Sequence, residues 1–161
     1  MLLWFAALSI AGTFLVFQDA ALDYRLVALG AILPDVLDAI VRRGVGPFHS
    51  LGVTVAILLG VMLATIGRRL LRRRALALPI GMFAHLVLDA TWGRTDVFWW
   101  PFTGRRVHGP VPSFGRPFAL VLIEEAAGAA VALWLWKRFG LNDDRRRRKF
   151  WSSGRLDRRI V

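Results

Sequence analysis

Five apolar stretches, residues 1–17, 26–41, 51–67, 75–91 and 118–136, run through a chain of 161 residues. At 56% hydrophobic residues and a mean hydropathy of +0.50, the chain is too apolar for an ordinary soluble domain and has a membrane composition. The expected fold is all-α: a polytopic integral membrane helical bundle of about five transmembrane segments over residues 1–136, followed by a basic tail, 137–161. A spanning helix needs about 20 residues, with a range of roughly 17 to 25. Stretch 118–136 meets this comfortably and 26–41 is marginal. Pro34 lies inside the latter and removes a backbone donor, so this second segment is the one expected to be broken or re-entrant. Trp4, Trp92, Trp99, Trp100, Trp134 and Trp136 fall near the ends of apolar runs, where amphipathic rings sit at the headgroup level. The first stretch lacks a basic n-region and a small-residue cleavage site and reads as retained. The absence of cysteine excludes disulfides, cysteine-ligated zinc and thiol catalysis.

Charge orients the bundle. "RRLLRRR", residues 68–74, and the tail from Lys137 both belong on the cytoplasmic side. With five spans the N-terminus is outside and the C-terminus cytoplasmic, in the cell membrane, and sixteen of the 22 Lys and Arg lie inside. That asymmetry explains most of the +11 net charge without nucleic acid. The tail's partner is anionic lipid headgroups, at about 1 kcal/mol per basic residue near the surface. The tail is dense in charge and lacks apolar periodicity, which predicts a lipid contact rather than a folded domain.

The unusual residues are five carboxylates within the stretches: Asp35, Asp38, Asp89, Glu124 and Glu125. No lysine or arginine accompanies them there. A charge at the helix centre costs about 2.5–3.5 kcal/mol on insertion scales, so these groups must be protonated, near water or neutralised by a cation. At 1.5 Å rise per residue, Asp35, Asp38, His49, His85, Asp89 and Glu124 all fall within roughly 9 Å of the outer boundary. His85 and Asp89 at i, i+4 share one helix face, as do Asp35 and Asp38 at i, i+3. Those two faces with His49 make a cage of imidazole and carboxylate donors suited to zinc, manganese or iron. Glu124 and Glu125 lie about 100° apart on a helix, so at most one faces the site. His108 and Asp96 read as ordinary loop residues, and Ser50 as a helix cap rather than a nucleophile.

The motifs "GAILPDVLDAI", "RRGVGPFHSLG", "FAHLVLDATW" and "DVFWWPFTG" occur in that order across residues 28–104. In this the chain resembles the membrane-bound metal-dependent hydrolases, some of which are described as LexA-regulated inner-membrane proteins. Many members have PDxD and a histidine ahead of the His-Ser pair, where this chain has "PDVLD" and Arg43. The resemblance carries a metal site more securely than a reaction. Joined to the residue pattern, it points to hydrolysis of a phosphoester or other ester of a lipid-like substrate. Asp35, Asp38, His49, His85 and Asp89 are then metal ligands or catalytic groups, and Arg43 and the arginines of the outer loop, residues 92–117, bind an anionic headgroup. The alternative is a proton- or cation-coupled transporter or a non-enzymatic membrane subunit, since buried carboxylates also serve proton relays.

Overall fold

Each of the five apolar stretches is a helix. The computed structural model describes residues 1–42, 46–104, 116–157 and 160, and no strand occurs among them. The helices are α1 (Leu2–Phe17), α2 (Tyr24–Arg42), α3 (Leu51–Ala64), α4 (Arg69–Ala75), α5 (Ala77–Leu88), α6 (Thr95–Phe98), α7 (Phe118–Arg138) and α8 (Asp144–Ser153). Two 3₁₀ turns, Pro47–His49 and Thr91–Gly93, lie between them. The fold is therefore all-α. One helix among the described residues, α7, is long and apolar enough to cross a membrane; α1 and α3 are apolar but only 16 and 14 residues long.

The second stretch is not broken, contrary to the expectation from Pro34. Helix α2 runs through it for 19 residues. Pro34 removes the donor that the Gly30 carbonyl would have met and crowds the preceding turn. At that turn α2 lies against α5 so closely that neither helix has room for a side chain. A Cβ at Gly30 would stand 2.1 Å from the Leu78 carbonyl oxygen, and one at Gly81 would stand 2.1 Å from that of Val27. The α2–α5 pair is the most extensive contact in the bundle, with α1 packed on α2, α5 and α7, and α3 on α5. Gly128 plays the same part between α7 and α1, where a Cβ would meet the backbone of Leu3 and Trp4. Small residues at such contacts let the two backbones approach closely.

Helices α2 and α5 both start at the end of the bundle that carries the arginines of α4, and both finish at the other end. Asp23, immediately before α2, is fully buried there and takes Arg74 Nε at 2.8 Å and Arg25 Nη2 at 3.1 Å. The tail closes the same end. The apolar residues of 144–160 are too sparse to show a period, but three of them, Phe150, Leu156 and Ile160, join Phe14, Leu22, Tyr24 and Phe139 in one core cluster. Asp143 caps α8 by accepting from the Arg145 and Arg146 amides. Gly154, at φ +70°, turns the chain back so that the Tyr24 amide donates to its carbonyl. Residues 144–157 are thus folded against the bundle, unlike the sequence expectation, while Arg145, Arg148 and Lys149 form an exposed basic face.

Burial by itself pushes the Asp23 carboxyl up, but the hydrogen bonds and charges of Arg25 and Arg74 outweigh it and hold the group below its ordinary value. A depressed folded pKa contributes stability above the unfolded value, and that stability is lost as pH falls through the folded one. Acidification below about pH 4 is therefore expected to loosen α8 from the α1–α2 turn, an effect absent in Asp23→Asn. Proteolysis of the tail against pH checks this.

Candidate metal centre

At the end of the bundle away from the arginines, α2, the turn Pro47–His49 and α5 each bring one donor to a common point. Asp35 Oδ1 lies 3.2 Å from His49 Nε2 and 3.7 Å from His85 Nε2, and the two Nε2 atoms are 3.3 Å apart. These three residues are the group that can hold a metal ion among the described residues. A point about 2.0–2.1 Å from all three atoms, the usual length of a Zn–N or Zn–O bond, lies just off their plane. The separations are those of neighbouring ligands around one centre.

The far nitrogen of each ring fixes its orientation. His85 Nδ1 lies 2.7 Å from the Ala31 carbonyl. A carbonyl only accepts, so Nδ1 carries the proton and, in the neutral ring, Nε2 presents a lone pair. Ala31 sits in the turn before Pro34, and this helix carbonyl is turned to a side chain on α5. Phe5 of α1 covers the imidazole, ring centroids 4.2 Å apart. His49 Nδ1 donates to Asp38 Oδ2 at 2.6 Å, and both side chains are fully buried. Asp38 also accepts from the amides of Gly46 at 2.9 Å and Phe48 at 3.3 Å, so it holds the loop that carries His49. A Cβ at Gly46 would stand 2.2 Å from Asp38 Oδ1, which is why glycine occurs there. Carboxylate and carbonyl acceptors behind metal-binding histidines commonly fix the tautomer in this way. Three electron-pair donors thus converge, a constellation that calls for a cation between them, either a metal ion or a proton on His49.

The remaining sequence candidates stand around this point. Asp38 backs His49 and is not one of the three converging donors. Asp89 is the C-cap of α5 and is not one of them either. It accepts from Thr91 Oγ1 at 3.1 Å and from Arg116 Nη2 at 2.9 Å. Arg116 pairs through Nη1 with Glu124 as well. Glu125 points elsewhere, to the start of α1, where it accepts from the Leu3 amide at 3.4 Å. Ser50 caps α3, its Oγ accepting from the Val53 amide and donating to the Pro47 carbonyl, as the sequence implied. Arg43 and His108 lie outside the described residues.

Arg116, one of the outer-loop arginines expected at an anionic headgroup, instead pairs with two acids of the chain, a role not read from the sequence. No arginine occurs inside the apolar stretches, yet this one, two residues ahead of α7, folds in to meet two of their carboxylates. The signal was the excess of acids itself, which needed a cation from an adjoining loop.

No protein-family model matches the chain, and neither a curated protein nor a solved structure matches it. The site is read from its own geometry.

Proposed function

We propose that the chain is a multi-pass membrane hydrolase whose centre is a divalent transition metal, zinc, manganese or iron, held by Asp35, His49 and His85. The observation that carries this is the convergence of Asp35 Oδ1 and two Nε2 atoms within 3.7 Å of one another, with each ring tied at Nδ1. A metal bound there would supply water activated near neutral pH and polarise the ester oxygen, the chemistry that such sites with three protein ligands perform. Asp38 Oδ2 keeps the Nδ1 proton of His49 in place, and the Ala31 carbonyl does the same for His85. Arg116 pairs with both Asp89 and Glu124 beside the centre. This agrees with the resemblance to the membrane-bound metal-dependent hydrolases, and the expected substrate is an ester of a lipid-like molecule.

The membrane reading is supported by the surface. The window of α7 apolar enough to span is only 17% buried, unlike a core helix of a soluble protein. Leu15, Val16 and Phe17 on α1, Leu59 and Leu63 on α3, and Ile123 and Leu133 on α7 are all exposed. So many exposed large apolar side chains suit contact with lipid or a partner. The arginines of α4 and the exposed face of α8 would then lie at the cytoplasmic surface against anionic headgroups, with the metal centre toward the outer side.

A second reading has one observation in its favour. His49 lies between Asp35 at 3.2 Å and Asp38 at 2.6 Å, so a proton alone satisfies it, as in a proton-coupled transporter. Hydrolysis of a phosphodiester and of a lipid ester by detergent-purified protein, supplemented in turn with zinc, manganese and iron, separates the two. Turnover that needs metal and vanishes in Asp35→Asn supports the hydrolase. Absence of turnover, with proton flux in proteoliposomes that Asp35→Asn abolishes, supports transport.

A further inference from the structure

Of the three converging donors only Asp35 is reachable: its side chain is 20% exposed, whereas His49 and His85 are sealed. What Asp35 faces is a cavity of about 530 Å³ between α2, the start of α1 and the start of α7. Its walls include Leu2, Ile32, Val36, Ala39, Ile40 and Val121, with Asp35 and Arg116 as the charged side chains and with Met1, whose terminal ammonium pairs with Glu125 at 3.4 Å. Positions 32, 36, 39 and 40 form one apolar stripe on α2, spanning about 12 Å of helix. Val36, Ile40 and Leu2 are also exposed on the surface of the bundle, so the apolar lining of the cavity is continuous with exposed apolar surface.

We propose, resting on the hydrolase reading, that this groove is the chain-binding subsite of the enzyme, and that its substrate is an amphiphile whose apolar chain lies along Ile32, Val36 and Ile40 while its ester reaches Asp35. Three features select that occupant. The volume lies within the roughly 300–1,000 Å³ of ordinary ligand sites, and the lining is apolar with few polar groups, the pattern that orients a ligand. The groups that orient it, Asp35 and Arg116, stand at the metal centre and beside it, so groove and centre are continuous. An apolar stripe that runs out to exposed Val36 and Ile40 suits a substrate that already lies among acyl chains, whereas a water-soluble ester would gain nothing from it.

The test uses full-length protein in vesicles of phosphatidylethanolamine and phosphatidylglycerol, with a phosphatidic acid that carries a diazirine in mid-chain. Irradiation and peptide mapping locate the label, and metal content and metal-dependent turnover are measured on the same preparations. Labelling is expected to concentrate on Ile32, Val36, Ile40 and Val121 and to be lost in Ala39→Trp, which fills the groove from an exposed position. Background labelling at Leu133 and metal content should stay unchanged. Val36→Phe repeats the block from about one turn earlier on α2, should Ala39→Trp fold poorly. Labelling no denser in the groove than at Leu133, or undiminished in both variants, overturns the subsite even where turnover is present. Groove labelling in a wild type without metal-dependent turnover instead overturns the hydrolase reading, and the substrate assignment with it.

Discussion

Gly81→Ala is expected to separate α2 from α5 and to cost about 3 kcal/mol, the upper end for overpacking a close-packed contact. The added methyl would stand 2.1 Å from the Val27 carbonyl oxygen and 3.0 Å from the Ala31 amide nitrogen, all backbone atoms that cannot rotate away. Because α5 carries His85 and α2 carries Asp35 and the Ala31 carbonyl, the same displacement disturbs the candidate metal centre. Gly30→Ala, which meets Leu78 from the other side, should behave alike. Gly12→Ala is the control. It has nothing within 4 Å and lies inside α1, so it should be neutral or stabilising by about 0.5–1 kcal/mol. Thermal unfolding of the detergent-purified variants reads the difference.

Arg116→Leu removes the cation shared by Asp89 and Glu124, which are 3% and 8% exposed. Removing one partner of a buried ion pair costs about 3–5 kcal/mol, because the other charge stays behind in a poor solvent. Here two carboxylates stay behind. The loss should be partly recovered in Arg116→Leu with Glu124→Gln, since that double variant leaves one fewer negative charge. Equal unfolding midpoints for wild type and Arg116→Leu would show that the guanidinium is solvated and does not tie α7 to the end of α5.

The helices were legible in the sequence because apolar runs of this length admit little else, and α1, α2, α3, α5 and α7 begin and end within a few residues of the stretches. What composition could not supply was the packing: which glycines mark helix contacts is decided by the facing backbone, and Gly12 and Gly60 look no different in sequence from Gly81. The fold of the tail was hidden for a related reason. Phe150, Leu156 and Ile160 show no period, and only the turn at Gly154 brings them to Tyr24 and Phe139. In the site, Asp35 and His85 within apolar runs, and His49 just ahead of one, marked every residue of the centre. Their division of labour was not marked. Spacing along a helix puts His85 and Asp89 on one face, but α5 ends at Leu88, and Asp89, its cap, is engaged with Thr91 and Arg116. Asp35 and Asp38 share a face too, yet Asp38 accepts from the Gly46 amide and from His49 Nδ1, which makes it the support of His49.

The central claim is that Asp35, His49 and His85 hold one metal ion together. Elemental analysis of protein purified after zinc, manganese or iron supplementation, in wild type, Asp35→Asn, His49→Ala, His85→Ala and Glu125→Gln, tests it most directly. The account predicts about one metal per chain in wild type and in Glu125→Gln, and almost none in the three others, each of which loses a donor that a three-ligand site cannot spare. A wild type without metal under all three supplementations, or His85→Ala at full occupancy, would contradict it.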